Sequence, residues 1–265
     1  MQILIGFIAG ALIAILAWKA GSLSTSGAFA AAISGGLIFG IGGFPWAALL
    51  LTFFITSSAL SKAFKSRKAK LGEKFAKGSQ RDWAQVLAND GFGTILVIFV
   101  LIKPDQTWTW IAYAGAMATV NADTWATELG LLNPKPPRLI TNGRVVEAGT
   151  SGGISLLGTL ATLGGAALIG LVGAAFSLGA GAWTLLLAAT LGGVSGSLFD
   201  SLLGATVQAI YYCPSCQKET ERHPTHSCES HTQQIRGWSW LDNDLVNFLA
   251  SVEGAGIAVV LWGIF

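Results

Sequence analysis

An all-α, polytopic membrane helix bundle with about eight transmembrane helices is the fold class this chain predicts, on three observations. Of its 265 residues, 52% are apolar and 11% charged, with a mean hydropathy of +0.59, whereas soluble domains carry about 25% charged residues. The apolar residues fall into runs that supply the roughly 20 residues a helix needs to cross a bilayer. The bases are confined to alternate connections between those runs, as orientation in a membrane requires. Residues 1–265 read as a single integral membrane domain, with a small cytoplasmic Cys/His loop at 212–244 inside it.

Spans are expected near 2–18, 27–43, 45–60, 86–102, 108–131, 151–176, 183–211 and 245–264. The first opens at Met1 without a basic preamble or a clear small-residue cleavage signature, so it reads as a retained helix. Between the third and fourth lie Lys62, Lys65, Arg67, Lys68, Lys70, Lys74, Lys77 and Arg81. Basic loops resist translocation, so this one is cytoplasmic. Counting crossings from it puts Lys135, Arg138 and Arg144, and then Lys218, Arg222 and Arg236, on the same side, with both termini on the other. The opposite connections hold only Lys103 as a base.

Five carboxylates fall inside or at the ends of these spans: Asp90, Asp123, Glu128, Asp200 and Glu253. A charge at the bilayer centre costs roughly 3 kcal/mol even on the lenient insertion scale, so such residues face a cavity, a partner or an ion. Asn89 and Asp90 begin span four, Asp123 and Glu128 end span five, Asp200 lies late in span seven, and Asn243 and Asn247 begin span eight. All fall toward the cytoplasmic side. The outer halves of the spans are nearly devoid of ionisable groups, which favours a site opening to the cytoplasm over a route across the membrane. Glu253 is the deepest acid of its span and has no assigned role.

Span five carries the sharpest local signal. At about 100° per residue, Asp123, Thr127, Thr124, Glu128 and Asn121 occupy one arc of roughly 160°. Two carboxylates, two hydroxyls and an amide on one face suit a hard, oxygen-ligated cation such as Mg²⁺; the competing reading is a hydrogen-bonded packing face. In span seven Gly193, Ser197, Asp200, Ser201, Gly204 and Gln208 make a small and polar stripe at helical spacing. Small residues alone would indicate helix packing, and Asp200 turns the expectation toward a site. Gly149, Thr150, Ser151, Gly152 and Gly153 suit a phosphate cradle ahead of a helix N terminus, glycines permitting close backbone approach, although glycines also serve tight turns. Arg144, and Lys77, Arg81, Asn89 and Asp90 from the stretch KGSQRDWAQVLAND, are candidates for further phosphate contacts. Most of the other basic residues serve topology and anionic lipid.

The last cytoplasmic loop holds all three cysteines and all three histidines. A C-x-x-C pair followed by H-x-C suits a structural tetrahedral zinc site, with Cys213, Cys216, His226 and Cys228 as ligands. His223 and His231 read as bystanders. A disulfide does not suit the reducing side of a membrane.

The ordered motifs RDWAQVLAND, NADTWATELG, GTSGGISLLGT, GSLFDSLLGATVQ and LDNDLVN, with a cysteine-containing loop before the last, resemble the integral-membrane domain-of-unknown-function 92 family. The resemblance spans essentially the whole chain. The family's polar motifs fall on Asp82, Asn89, Asp123, Thr124, Glu128, Thr150, Ser151, Asp200, Ser201 and Asn247. Through the family's plant phytyl-phosphate kinases, the resemblance implies phosphoryl transfer from a nucleotide, CTP above all, to an isoprenyl monophosphate such as phytyl phosphate. Asp123 and Asp200 would then hold Mg²⁺, Glu128 would orient a water of its shell, and the GTSGG amides with Arg144 would grip phosphate oxygens. The implied partners are nucleotide, prenyl phosphate and membrane lipid, with no nucleic acid. The expected location is the cell membrane, or a thylakoid membrane if the source has one, with the site facing the cytoplasm. A CTP-dependent cytidylyltransferase and a lipid transporter are the rival readings.

Overall fold

The computed structural model describes residues 1–65, 74–78, 80–104, 106–177 and 179–265. Arg67, Lys68 and Lys70 of the basic loop lie outside the described residues. Among the described residues are seven helices: α1 Gln2–Lys19, α2 Thr25–Ala63, α3 Trp83–Ile102, α4 Thr107–Gly130, α5 Leu156–Ala175, α6 Ala180–Thr206 and α7 Asn243–Ile264. Six of them combine the length and hydropathy needed to cross a membrane. The seventh, α4, has 24 residues and so a length of about 36 Å, but it carries polar residues in its last turns.

The eighth crossing comes from α2. Its 39 residues would make a rod of about 58 Å. Gly43, however, has φ 77° and ψ −167° just before Phe44 and Pro45, and the chain doubles back there. A Cβ on Gly35 would lie 3.9 Å from the Leu50 side chain, whereas an unbroken helix would hold the two residues about 22 Å apart. Glycine adopts this φ without a steric penalty, and proline is tolerated in the first turn of the second half. The two halves correspond to the expected second and third spans.

Small residues set the helix spacing, since lipid supplies no hydrophobic force between helices. Gly6 and Gly10 of α1 face Gly36 and Gly40 of α2, and a Cβ on Gly6 would sit 2.4 Å from the Gly40 nitrogen. The axis of the bundle is α4, buried at every position from Ile111 to Ala122 and packed by α2, α3, α5, α6 and α7. Tyr113 at its centre stacks on Trp46 with ring centroids 4.4 Å apart and donates its hydroxyl to the Trp46 carbonyl at 3.0 Å. Leu12, Phe29, Ile33, Leu160 and Leu171 point outward and are exposed, as a lipid-facing surface requires.

The two ends of the bundle differ in kind. At one end lie both termini and short turns with aromatic contacts, Phe44 on Phe176 and Phe99 on Trp108. The other end gathers the connections 63–83, 130–156 and 206–243, the loops that carry the bases. There the helices are shorter than expected. Residues 151–155 precede α5, whose N-cap Ser155 accepts from the Gly158 N–H at 3.1 Å. Past the end of α6, Ile210–Cys213 is a strand instead of helix, in keeping with its isoleucine and paired tyrosines. The bundle is all-α, but its loops add short antiparallel strands. β1 Arg138–Leu139 pairs with β2 Gly153–Ile154. β3 Ile210–Cys213, β4 Lys218–Thr220 and β5 Gln233–Arg236 form a sheet in the order β4-β3-β5.

Candidate active site and Cys/His centre

A cavity of about 440 Å³ opens at the loop-bearing end. The last two turns of α4 supply Asp123, Thr124, Thr127 and Glu128 to its wall. Facing them, α6 contributes Ser197, Asp200, Ser201 and Gly204. Gly149 to Gly153 roof it, Arg81 and Asn89 stand at the start of α3, and Asn243 and Asn247 at the start of α7. Residues from five segments far apart in sequence thus share one space.

Within it the acids have different partners. Glu128 is buried and accepts from the Ser61 hydroxyl at 2.7 Å, with the charge of Arg81 in reach. Asp200 faces the charges of Asp123 and Glu221, and its buried Oδ2 has no hydrogen-bond partner among the described residues. The last of these acids, Glu221, was not expected. Glu221 follows β4 and accepts from the Ser151 hydroxyl and the Gln208 amide, both at 3.0 Å, and from the Ala76 N–H at 3.3 Å. It pins the glycine segment, the end of α6 and the 74–78 loop to one another. Burial raises its carboxyl above the usual range, the three hydrogen bonds oppose that, and the Asp244 charge adds to it. Nothing local separates Glu221 from Glu219 or Glu229; only its tertiary partners do.

At the rim Lys77, a candidate phosphate contact, sits in a charged cluster whose third member, Asp244, was not expected. Lys77 bonds to Asp82 at 2.9 Å and makes a short contact with Asp244, clamping the starts of α3 and α7 together. Burial pulls the ammonium down, but the hydrogen bonds and charges of Asp244 and Asp82 outweigh it and the net shift is upward. Asp82 caps α3 in a reciprocal box with Gln85, so a structural task accounts for this motif residue.

Several expected contacts lie elsewhere. Asp90 is buried against α2, where Ser34 donates to it at 2.7 Å, and it does not line the cavity. Arg144 is exposed in the turn beside β1 and also stands apart. Asn121, counted with the polar face of α4, binds helices together: its amide donates to the Gly165 carbonyl at 2.7 Å and its oxygen accepts from Thr56 at 3.0 Å. Thr124 donates to the Val120 carbonyl of its own helix. Gly152, with φ 81°, sits so close to α6 that a Cβ would meet Ala205 at 2.5 Å; packing alone demands glycine there. Gly193 likewise serves packing, against Ala118. Glu253 accepts from Ser195 at 2.8 Å, between α7 and α6.

The Cys/His loop gathers Cys213, Cys216, His226 and Cys228 with donor atoms all within 4.8 Å of one another. Cys213 Sγ lies 3.5 Å from Cys228 Sγ, and His226 Nδ1 lies 3.5 Å from Cys216 Sγ and 3.3 Å from Cys228 Sγ. The edges of a zinc tetrahedron with bonds of about 2.0–2.3 Å measure roughly 3.5–3.8 Å. The four atoms therefore form a closed cage that could bind a metal. His223 stacks on Tyr211 instead, and His231 pairs with Thr225 across a bridge. Among the described residues no set of three carboxylates converges as tightly; the acids of the cavity surround open space.

Fold and site together define a polytopic membrane protein with a carboxylate-lined cavity at one membrane face and a Cys/His cage beside it. The chain belongs to the family of integral membrane proteins DUF92, whose model matches residues 8–255. It is similar to Protein PGR of Arabidopsis thaliana, 34% identical over 94% of this chain and 92% of the relative. An uncharacterized membrane protein of Methanocaldococcus jannaschii is 37% identical over 73% of this chain and 78% of the relative. Protein VTE6, chloroplastic, of Arabidopsis thaliana is 24% identical over 90% of this chain and 65% of the relative. No solved structure matches.

Proposed function

We propose that the protein is a membrane prenyl-phosphate kinase, transferring the terminal phosphoryl group of a nucleoside triphosphate, CTP in the family reading, to an isoprenyl monophosphate. The observation that carries this is the cavity itself, in which Asp123 on α4, Asp200 on α6 and Glu221 after β4 face a glycine segment and the Arg81 guanidinium. The family resemblance supplies the reaction class. The bases cluster at the same end of the bundle, so the cavity faces the cytoplasm, where soluble nucleotide is available.

The donor set suits Mg²⁺: the atoms are hard oxygens, and a buried oxygen of Asp200 has no partner among the described residues. Mg²⁺ takes few protein ligands and is shared with substrate phosphates, so open space between Asp123 and Asp200 is appropriate. Asp123 and Asp200 would hold the cation there, and it would supply charge neutralisation for the nucleotide phosphates. The backbone of Gly149, Thr150, Ser151 and Gly153 and the side chains of Ser201, Asn243 and Asn247 orient the polyphosphate. Arg81 meets the phosphoryl group in transfer. An oxygen of the acceptor phosphate attacks the γ-phosphorus, the bond from that phosphorus to the β,γ-bridging oxygen breaks, and nucleoside diphosphate and prenyl diphosphate leave. The acceptor oxygen is already anionic, so positioning and charge neutralisation suffice. Glu128, held by Ser61, fixes Arg81 electrostatically. In the Cys/His cage Cys213, Cys216, His226 and Cys228 would hold structural zinc, the protein supplying all four ligands.

The test is a product assay with purified protein, labelled CTP, Mg²⁺ and a panel of isoprenyl and other lipid phosphates. Formation of CDP and prenyl diphosphate is expected. Release of pyrophosphate with a CDP-linked lipid would replace this activity with cytidylyl transfer, and lipid flux without nucleotide consumption would remove it.

A further inference from the structure

A second recess, of about 620 Å³, adjoins the cavity. The two share Ser61, Gly78 and Arg81 in their walls. Their chemistry is opposite. The cavity is rich in carboxylates, whereas the described lining of the recess contains Lys62, Lys65, Arg81 and four serines and no acid. Among the described residues neither lysine forms an ion pair. The C terminus of α2 favours a cation through its dipole, but that accounts for neither the hydroxyls nor the arginine.

Arg81 is set in place before any ligand arrives. Its N–H donates to the Ser22 carbonyl at 3.1 Å and its carbonyl accepts from Ser24 at 3.0 Å, inlaying the strand-like segment against the turn between α1 and α2. Gly27 makes room, since a Cβ there would lie 2.0 Å from the Arg81 oxygen. The guanidinium stands 5.6 Å and 5.8 Å from the ring centres of Phe53 and Phe54 and donates to Ser58 at 3.0 Å. Lys62 lies in the last turn of α2 and Lys65 just past its end, and both are exposed in the wall of the recess. Trp18 near the end of α1 and Phe29 in the second turn of α2 are both exposed.

We propose that this recess binds a phosphate monoester dianion, either the headgroup of the lipid acceptor or free phosphate, and hands it to the cavity across Arg81. As the acceptor subsite it rests on the kinase reading; as an anion site it stands by itself. A headgroup seated here leaves its apolar tail beside Trp18 and Phe29 in the bilayer. The division of labour is physical: polyphosphate with its cation belongs among acids, and a lone dianion belongs among fixed cations and hydroxyls.

The full-length protein in nanodiscs of zwitterionic lipid tests this by direct binding of geranylgeranyl monophosphate, geranylgeraniol and inorganic phosphate, without nucleotide. The monophosphate is expected to bind and the alcohol not. Lys62→Gln/Lys65→Gln should weaken the monophosphate about five- to tenfold, with thermal stability unchanged because both lysines are exposed. Displacement by inorganic phosphate at similar concentration assigns the recess to free phosphate, and its failure to displace assigns it to the lipid headgroup; either supports the phosphate chemistry. Equal monophosphate affinity in wild type and variant overturns the proposal, as does equal displacement by phosphatidylglycerol, which would make the lysines a general lipid anchor. Weakened binding with no nucleotide consumed on any acceptor keeps the recess and removes the kinase. Turnover with unchanged binding does the reverse.

Discussion

The two polar clusters at the loop-bearing end are built on opposite plans. The Cys/His cage takes its four ligands from the 16 residues between Cys213 and Cys228, and their donor atoms converge within 4.8 Å. The cavity takes its acids from α4, α6 and the segment after β4, and they border about 440 Å³ of open space. A closed cage of four converging donors has no room for a substrate and suits a structural metal; acids held apart in a cavity have room for a cation and a polyphosphate together. Glu221 joins the two, since the hairpin that carries Cys213 and Cys216 also delivers this carboxylate to Ser151 and Gln208.

The comparison breaks most directly at the acids. Asp123→Asn and Asp200→Asn should each lower turnover by about 10²–10³-fold, the scale of losing a preorganised electrostatic contact, while the metal content of the cage, read by elemental analysis, stays unchanged. Near-normal activity in both would take the cation out of the cavity. Cys213→Ser should give the complementary pattern: one zinc per chain is lost and thermal stability falls, because a structural site contributes folding free energy directly. Activity should fall with the folded fraction. A Cys213→Ser protein that is as stable as wild type and keeps its zinc would show that the four side chains do not act as a cage.

This contrast also explains what the sequence made legible. Local periodicity revealed the polar end of α4, and spacing alone named the four cage ligands. The break in α2 was readable as two spans separated at Gly43. Glu221 was hidden because its role comes from partners at 76, 151 and 208, and no local pattern records those contacts. Asp244 was hidden for the same reason, whereas Lys77, read from the sequence as a candidate phosphate contact, does line the cavity, held by Asp82 and Asp244. Asp90 and Arg144 illustrate the converse. Each sits next to true cavity residues in the chain, but Asp90 turns to Ser34 on α2 and Arg144 lies in an exposed turn. Depth and proximity in sequence give a residue's level in the bundle, not the direction it faces.

The glycine segment is where packing and binding overlap, and two substitutions separate them. Gly152→Ala forces a Cβ to 2.5 Å from Ala205 at a φ of 81° and should cost about 2–3 kcal/mol of stability, strain and overpacking together. Gly143→Ala, at φ 69° with nothing within 4 Å, should cost about 1 kcal/mol, the backbone strain alone. Denaturation in detergent would measure both. A variant at 152 that loses nucleotide affinity without losing stability would return that glycine to the phosphate cradle.

Smaller still is the pH dependence that Glu221 confers. Its carboxyl is raised in the folded protein, so the folded state holds a proton that the unfolded chain, titrating near about 4.3, has released. The contribution to stability is therefore present below that unfolded value and is lost as pH rises through the folded one. Compared with Glu221→Gln, the wild type should lose relative stability as pH rises from about 4 toward neutrality. Added Mg²⁺ should flatten the difference, because a cation in the cavity favours ionised acids. A wild type that gains stability over the variant along the same ramp would mean that the hydrogen bonds from Ser151, Gln208 and Ala76 outweigh burial. Glu221 would then be an ordinary anionic tether, and the contrast between a structural cage and a cavity under charge strain would lose its link.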